Sequence, residues 1–186
     1  MPRAAPLIAA SAAALFAAAA LAQPSPATPT PALDVRKAMI DGVNPAALAI
    51  WDVSNAATND EGALDPALMD AAAWAKLEDA AGMLQFHAQE MAKAQRFAAG
   101  GPDLTSGEVP EGVSTKEQIQ AMIDGDPDGF RASAAQMAEQ AGALRAAVRL
   151  RDASATGDLA AGIDGNCQSC HERYWYPPAP VRGERG

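Results

Sequence analysis

Apolar residues recur at steps of three and four along most of this chain, the spacing that places side chains on one face of a helix. Val35, Met39, Val43, Ala46, Ile50 and Val53 make the first such stripe, and Pro45 within it predicts a bend. The second passes through Met69, Ala73, Leu77, Ala80, Leu84, His87 and Met91, with Asp65 placed to cap it and Pro66 to occupy its first helical position. Asp126-Pro127 repeats that opening for a third stripe, Phe130, Ala134, Met137, Ala141, Leu144 and Val148. A short connection near Ser154, Thr156 and Gly157 leads to a fourth, Leu159, Ile163, Cys167, Cys170 and Tyr174, which Pro177 and Pro178 stop.

Between the second and third stripes the Gly/Pro-rich stretch from Gly100 to Gly112 reads as a loop, and Thr115 to Ile123 as one short helical excursion. From Leu33 onward the chain is rich in Ala, Leu, Met, Gln and Glu and poor in β-branched and aromatic residues, so helix is expected throughout. Isolated helices of this length are marginal and gain their stability by packing. The pattern therefore predicts an all-α protein, an antiparallel four-helix bundle over residues 33–176, with side chains converging on an internal cofactor site. No internal repeat is seen. Length and the 49% hydrophobic content fit a single domain with one core.

Ahead of the bundle, Arg3 is followed by an alanine-rich apolar run ending in Ala20-Leu21-Ala22, which predicts a signal peptide at 1–22, export to the periplasm and a mature chain beginning at Gln23. An uncleaved anchor is the competing reading, because about 20 apolar residues can span a bilayer. Alanine makes this run only weakly hydrophobic, and no later segment is apolar enough, so no stable membrane span is expected after cleavage. Prolines 24, 26, 29 and 31 make 23–32 an extended tether. Residues 177–186 are expected to form a flexible tail. The formal net charge of −9 argues against nucleic acid as a partner, since phosphate binding needs a basic face.

The chemistry gathers at Cys167-Gln-Ser-Cys170-His171, which holds both cysteines of the chain and one of its two histidines. On a helix these positions are i, i+3 and i+4, so the three side chains leave one face. Two thiols so spaced can reach the two vinyl groups of a haem, and the adjacent imidazole then sits under the iron. One covalently attached haem c per chain is expected, on the last helix. A redox dithiol would ordinarily stand in a βαβ context, which this pattern lacks. A structural zinc site needs four ligands, and only His87 is left to add. A disulfide would close too short a loop to stabilise much and would leave His171 unexplained. No Ser/His/Asp set, phosphate-cradling glycine loop or paired carboxylates point to an enzyme.

An attachment motif near the carboxyl end of an exported, alanine-rich four-helix chain resembles the class II c-type cytochromes, which include cytochrome c prime and its low-spin relatives. The resemblance spans roughly Leu33 to Tyr176 and is strongest at Cys167, Cys170 and His171. It implies a haem near one end of the bundle, His171 as proximal ligand, and the first helix facing the other side of the iron. In low-spin members a methionine on that helix, a few residues after an arginine, is the sixth ligand, which here points to Met39 after Arg36. Cytochrome c prime has an apolar residue there instead. Met39 as ligand, Met39 as packing beside an open distal face, and ligation by His87 all stay open.

Arg36 and Arg173 are candidates to pair with haem propionates, with solvated surface charge as the alternative. Tyr174, Trp175 and Tyr176 are expected to pack over the haem and seal the bundle end. The favoured function is one-electron transfer to a redox partner protein, with a five-coordinate binder of nitric oxide or carbon monoxide as the alternative. A homodimer stays open. If the export reading is right, the mass of mature protein will correspond to a start at or near Gln23; a full-length, membrane-embedded product would support the anchor instead.

Overall fold

The computed structural model describes residues 30–102 and 112–176. The expected leader at 1–22, positions 23–29 of the tether, the tail at 177–186 and most of the loop between Gly100 and Gly112 lie outside the described residues.

Four long helices form an antiparallel bundle. They are α2 (Asn44–Ala56), α3 (Ala71–Lys93), α5 (Pro127–Leu150) and α6 (Ala153–Tyr174), with a one-turn α1 (Val35–Ala38) ahead of α2 and a shorter α4 (Lys116–Gly125) ahead of α5. Ile50, Leu77, Leu84, Leu144 and Ile163 are fully buried where the four helices meet, and each lies on a stripe read from the sequence.

Every helix but α2, which follows directly on the turn before it, begins where a side chain can satisfy its first free N–H groups. Asp34 caps α1, Asp70 caps α3 and Asp152 caps α6. Thr115 and Gln118 form a reciprocal capping box on α4.

Two boundaries differ from the pattern-based expectation. Asp65 and Pro66 open only a single 3₁₀ turn, Pro66–Leu68, and the long helix waits for Asp70, whose carboxylate accepts from Ala73 N at 2.7 Å. The last break falls at Arg151, which adopts left-handed φ 53° and ends α5, so Ser154, Thr156 and Gly157 lie inside the first turns of α6. Both differences have one cause: a plain Asp at the cap position, Asp70 or Asp152, starts the helix more effectively than the Asp-Pro or Ser/Thr/Gly signal beside it. Chain from Leu33 is also not wholly helical. Leu33–Asp34 (β1) and Phe97–Ala98 (β2) form a two-residue parallel ladder that closes one end of the bundle.

Pro45 leaves a mark more specific than a bend. In an uninterrupted α-helix its ring would meet the carbonyl of Asp41 and its missing N–H would forfeit a bond, costing about 3 kcal/mol. The chain instead makes a π-helical turn over Met39–Val43, with Asn44 N donating to Met39 O across five residues. Gly42, in this turn, lies against the His87 ring on α3, where a Cβ would come within 2.5 Å of ring atoms. Only glycine allows the two elements to approach so closely.

The far end of α6 is pinned by Asp126. Its carboxylate caps α5 by accepting from Gly129 N, accepts the Tyr174 hydroxyl at 2.7 Å and pairs with Arg173 at 2.5 Å. Tyr174 is 3% exposed and packs edge-on against Phe130, which packs likewise on Phe97. The Tyr174 hydrogen bond, more than any other influence, holds the Asp126 carboxyl below the usual carboxylate range.

A folded-state pKa below the unfolded one contributes stability above the unfolded value, which is lost as pH falls through the folded one. Tyr174→Phe should therefore lower stability at pH 7. In denaturant titrations the gap between parent and variant should narrow below about pH 4. A gap that stays constant to pH 2 would show that this hydrogen bond does not set the acid limit.

Candidate haem site

The last turns of α6 carry Cys167, Cys170 and His171 on the face turned to the bundle, as the i, i+3, i+4 spacing requires. All three are half-buried and line one cavity. Met39 and Val43 of the π-turn and Asn44 of α2 form another wall; Ala88 and Met91 of α3 and Phe130, Ser133, Ala134 and Met137 of α5 complete it. The space amounts to about 500 Å³ with its open mouth included. Flexible methionine side chains from three elements, Met39, Met91 and Met137, line this slot.

Burial sets the protonation of the attachment residues. The Cys167 thiol is pushed up from its ordinary range by burial and then by the charge of Asp164. Burial, with Cys167 next to it, raises Cys170 to about 11. No disulfide joins them. A dithiol exchange centre needs the opposite shift, a lowered pKa that supplies thiolate at neutral pH. Among the described residues no three or more His, Cys, Asp or Glu side chains are grouped to hold a metal ion, which leaves the zinc reading without a ligand set. Burial also lowers the His171 pKa, favouring the neutral imidazole that can donate a lone pair to iron.

The aromatic cluster divides into two roles. Tyr174 enters the core, whereas Trp175 and Tyr176 flank the His171 ring at centroid distances of 6.0 and 6.3 Å. Trp175 is tied to the segment before α4, its carbonyl accepting from Ser114 N. Arg173 is engaged by Asp126 and lies over the Tyr174 ring.

Arg36 does not line the slot; its side chain lies over Gly101, in a neighbouring cleft that it shares with Trp175. His87 does not line it either, because its ring covers Gly42. Asn166, immediately before Cys167, was missed by stripe reading because it is polar. It faces the slot and is held by Gln140 of α5, which also donates to Leu159 O at 2.9 Å.

These residues suit a haem: paired thiols for covalent attachment, an imidazole one residue on, and largely apolar walls. A bundle so equipped is a c-type cytochrome. The family model described as Cytochrome C' matches residues 52–175, and the chain belongs to that family. No curated protein and no solved structure matches it. Its cofactor is covalent haem c, and Cys167 and Cys170 are consistent with a CXXCH-like attachment site. The matched span begins after the π-turn, so it carries no information about Met39. No described helix is long and apolar enough to cross a membrane.

Covalent attachment has a direct test. Haem should remain with the polypeptide after denaturation and acid-organic extraction, and a Cys167→Ala/Cys170→Ala variant made in a host able to attach haem should release all of it. Extractable haem in the parent would contradict the assignment.

Proposed function

We propose that this cytochrome is a periplasmic one-electron carrier with His171 and Met39 as the two axial ligands of its iron. Bound haem supplies the ferrous/ferric couple. Cys167 and Cys170 hold it by two bonds to one helix, and His171 offers a neutral nitrogen at a position fixed by that attachment. The slot's apolar walls exclude water and lower the local dielectric, which together with a thioether ligand raises the potential. Trp175 and Tyr176 restrict the orientation of the His171 ring. No step of this function requires substrate turnover.

The observation that carries the reading is that Met39 and His171 line the same slot from different elements. Two other methionines line it, but Met91 and Met137 are 4% and 8% exposed and belong to the packed stripes of α3 and α5. Met39 is only half-buried and sits in a π-turn, a feature that recurs at functional sites. The leader with its small-residue cleavage pattern supports export. The charge of −9 favours a redox partner with a basic docking face, because long-range attraction speeds encounter.

One observation favours a second reading. Val43, Ala88, Phe130 and Ala134 are all apolar, so with Met39 serving only as packing the iron would face a protected, open site suited to nitric oxide or carbon monoxide.

Met39→Ala separates the two. If Met39 is bound, the oxidised and reduced spectra change from low-spin to high-spin, carbon monoxide binds readily, and the potential falls because sulfur favours ferrous iron. Met91→Ala should leave the spectrum unchanged. If Met39 is packing alone, its removal costs about 2 kcal/mol of stability and the spectrum stays as in the parent, which would reject ligation.

A further inference from the structure

The π-turn decides which residue of the first helix enters the slot. Val43 and Asn44 both line it, so the slot lies in the angular sector between them. Residues of an α-helix advance about 100° each, so a helix continued backward from Asn44 would put residue 40 about 40° from Asn44, inside that sector. Residue 39 would then fall about 140° from Asn44, beyond Val43 and in line with Ala46 and Ile50 of the core.

The structure shows the opposite arrangement: Met39 lines the slot and Ile40 is 48% exposed. The five-residue hydrogen bond from Asn44 N to Met39 O accounts for this. It inserts one residue into the turn, so that Met39 stands where Ile40 would stand in a plain α-helix.

Pro45 is the residue that disfavours the plain helix, since it cannot donate to Asp41 O and its ring would press on that carbonyl. Gly42 is the second requirement, because the turn brings it against His87 with no room for a side chain. We propose that Pro45 is a positioning residue for the sixth ligand, holding the π-turn that presents Met39 rather than Ile40 to the iron. This rests on the reading of Met39 as ligand given above.

The test compares four variants of the haem-loaded protein with the low-spin parent by absorption spectrum, carbon monoxide binding and potential, with far-ultraviolet circular dichroism as the check on folding. Pro45→Ala should lose the low-spin spectrum and gain carbon monoxide binding while keeping its helix content. Pro45→Ala/Ile40→Met should recover the low-spin spectrum, because residue 40 then faces the slot. Met39→Ala/Ile40→Met, with Pro45 retained, should stay high-spin because residue 40 points outward.

A Pro45→Ala protein that remains low-spin while Met39→Ala does not would overturn the positioning role and leave the ligand reading intact. Low-spin recovery in Met39→Ala/Ile40→Met would overturn it equally, and needs no change at Pro45. An unchanged spectrum in Met39→Ala would instead overturn the ligand reading itself, and this inference with it.

Discussion

Three side chains on one stretch of α6 must face inward and still stay open to a cofactor, so each packs only in part. Cys167, Cys170 and His171 are half-buried, and between Ile163 and Tyr174 the helix contributes no buried residue to the core. A helix that packs only partly over so long a stretch must be held at its ends. Ile163 and Ala160 anchor it on one side. On the other, Tyr174 enters the Phe130–Phe97 stack and bonds to Asp126, while Arg173 pairs with the same carboxylate. The slot is the space that remains between the two anchors, and the surrounding elements are arranged to wall it.

The same constraint explains why small features cluster at this end of the molecule. The β1/β2 ladder, α4 and Trp175 close the bundle beside the slot, with Gln120 of α4 accepting from Ala99 N and donating to Phe97 O. At the opposite wall a proline and a glycine reshape the first helix. Neither adds core area; both govern direction. An apolar enclosure raises the cysteine pKa values and lowers that of His171, since burial disfavours the charged form of each.

How far these features could be read from the sequence depends on the range of the signal that encodes them. CQSCH is local, and its spacing alone carried the attachment chemistry. The stripes of α2, α3, α5 and α6 follow the helical period and located Ile50, Leu77, Leu84, Leu144 and Ile163 correctly. Cap positions were harder, since Asp65 and Asp70 are chemically the same and only the tertiary path selects between them. Asn166 and Ser133 escaped because polar residues do not register on an apolar stripe.

The π-turn was the largest omission. Pro45 signalled a disturbance, but whether proline bends a helix or inserts a residue depends on what it packs against, here the contact of Gly42 with His87. Arg36 and Arg173 show the same limit: charge can be read from sequence, whereas Asp126 and Gly101 as their neighbours cannot.

In the proposed function, His171 would hold the iron by one nitrogen and Met39 by its sulfur. X-ray absorption at the iron edge of the purified protein, in both oxidation states, reads the atoms bound to the metal directly. The account predicts one sulfur neighbour alongside the porphyrin and imidazole nitrogens, retained on reduction. A coordination shell of nitrogens alone would contradict it.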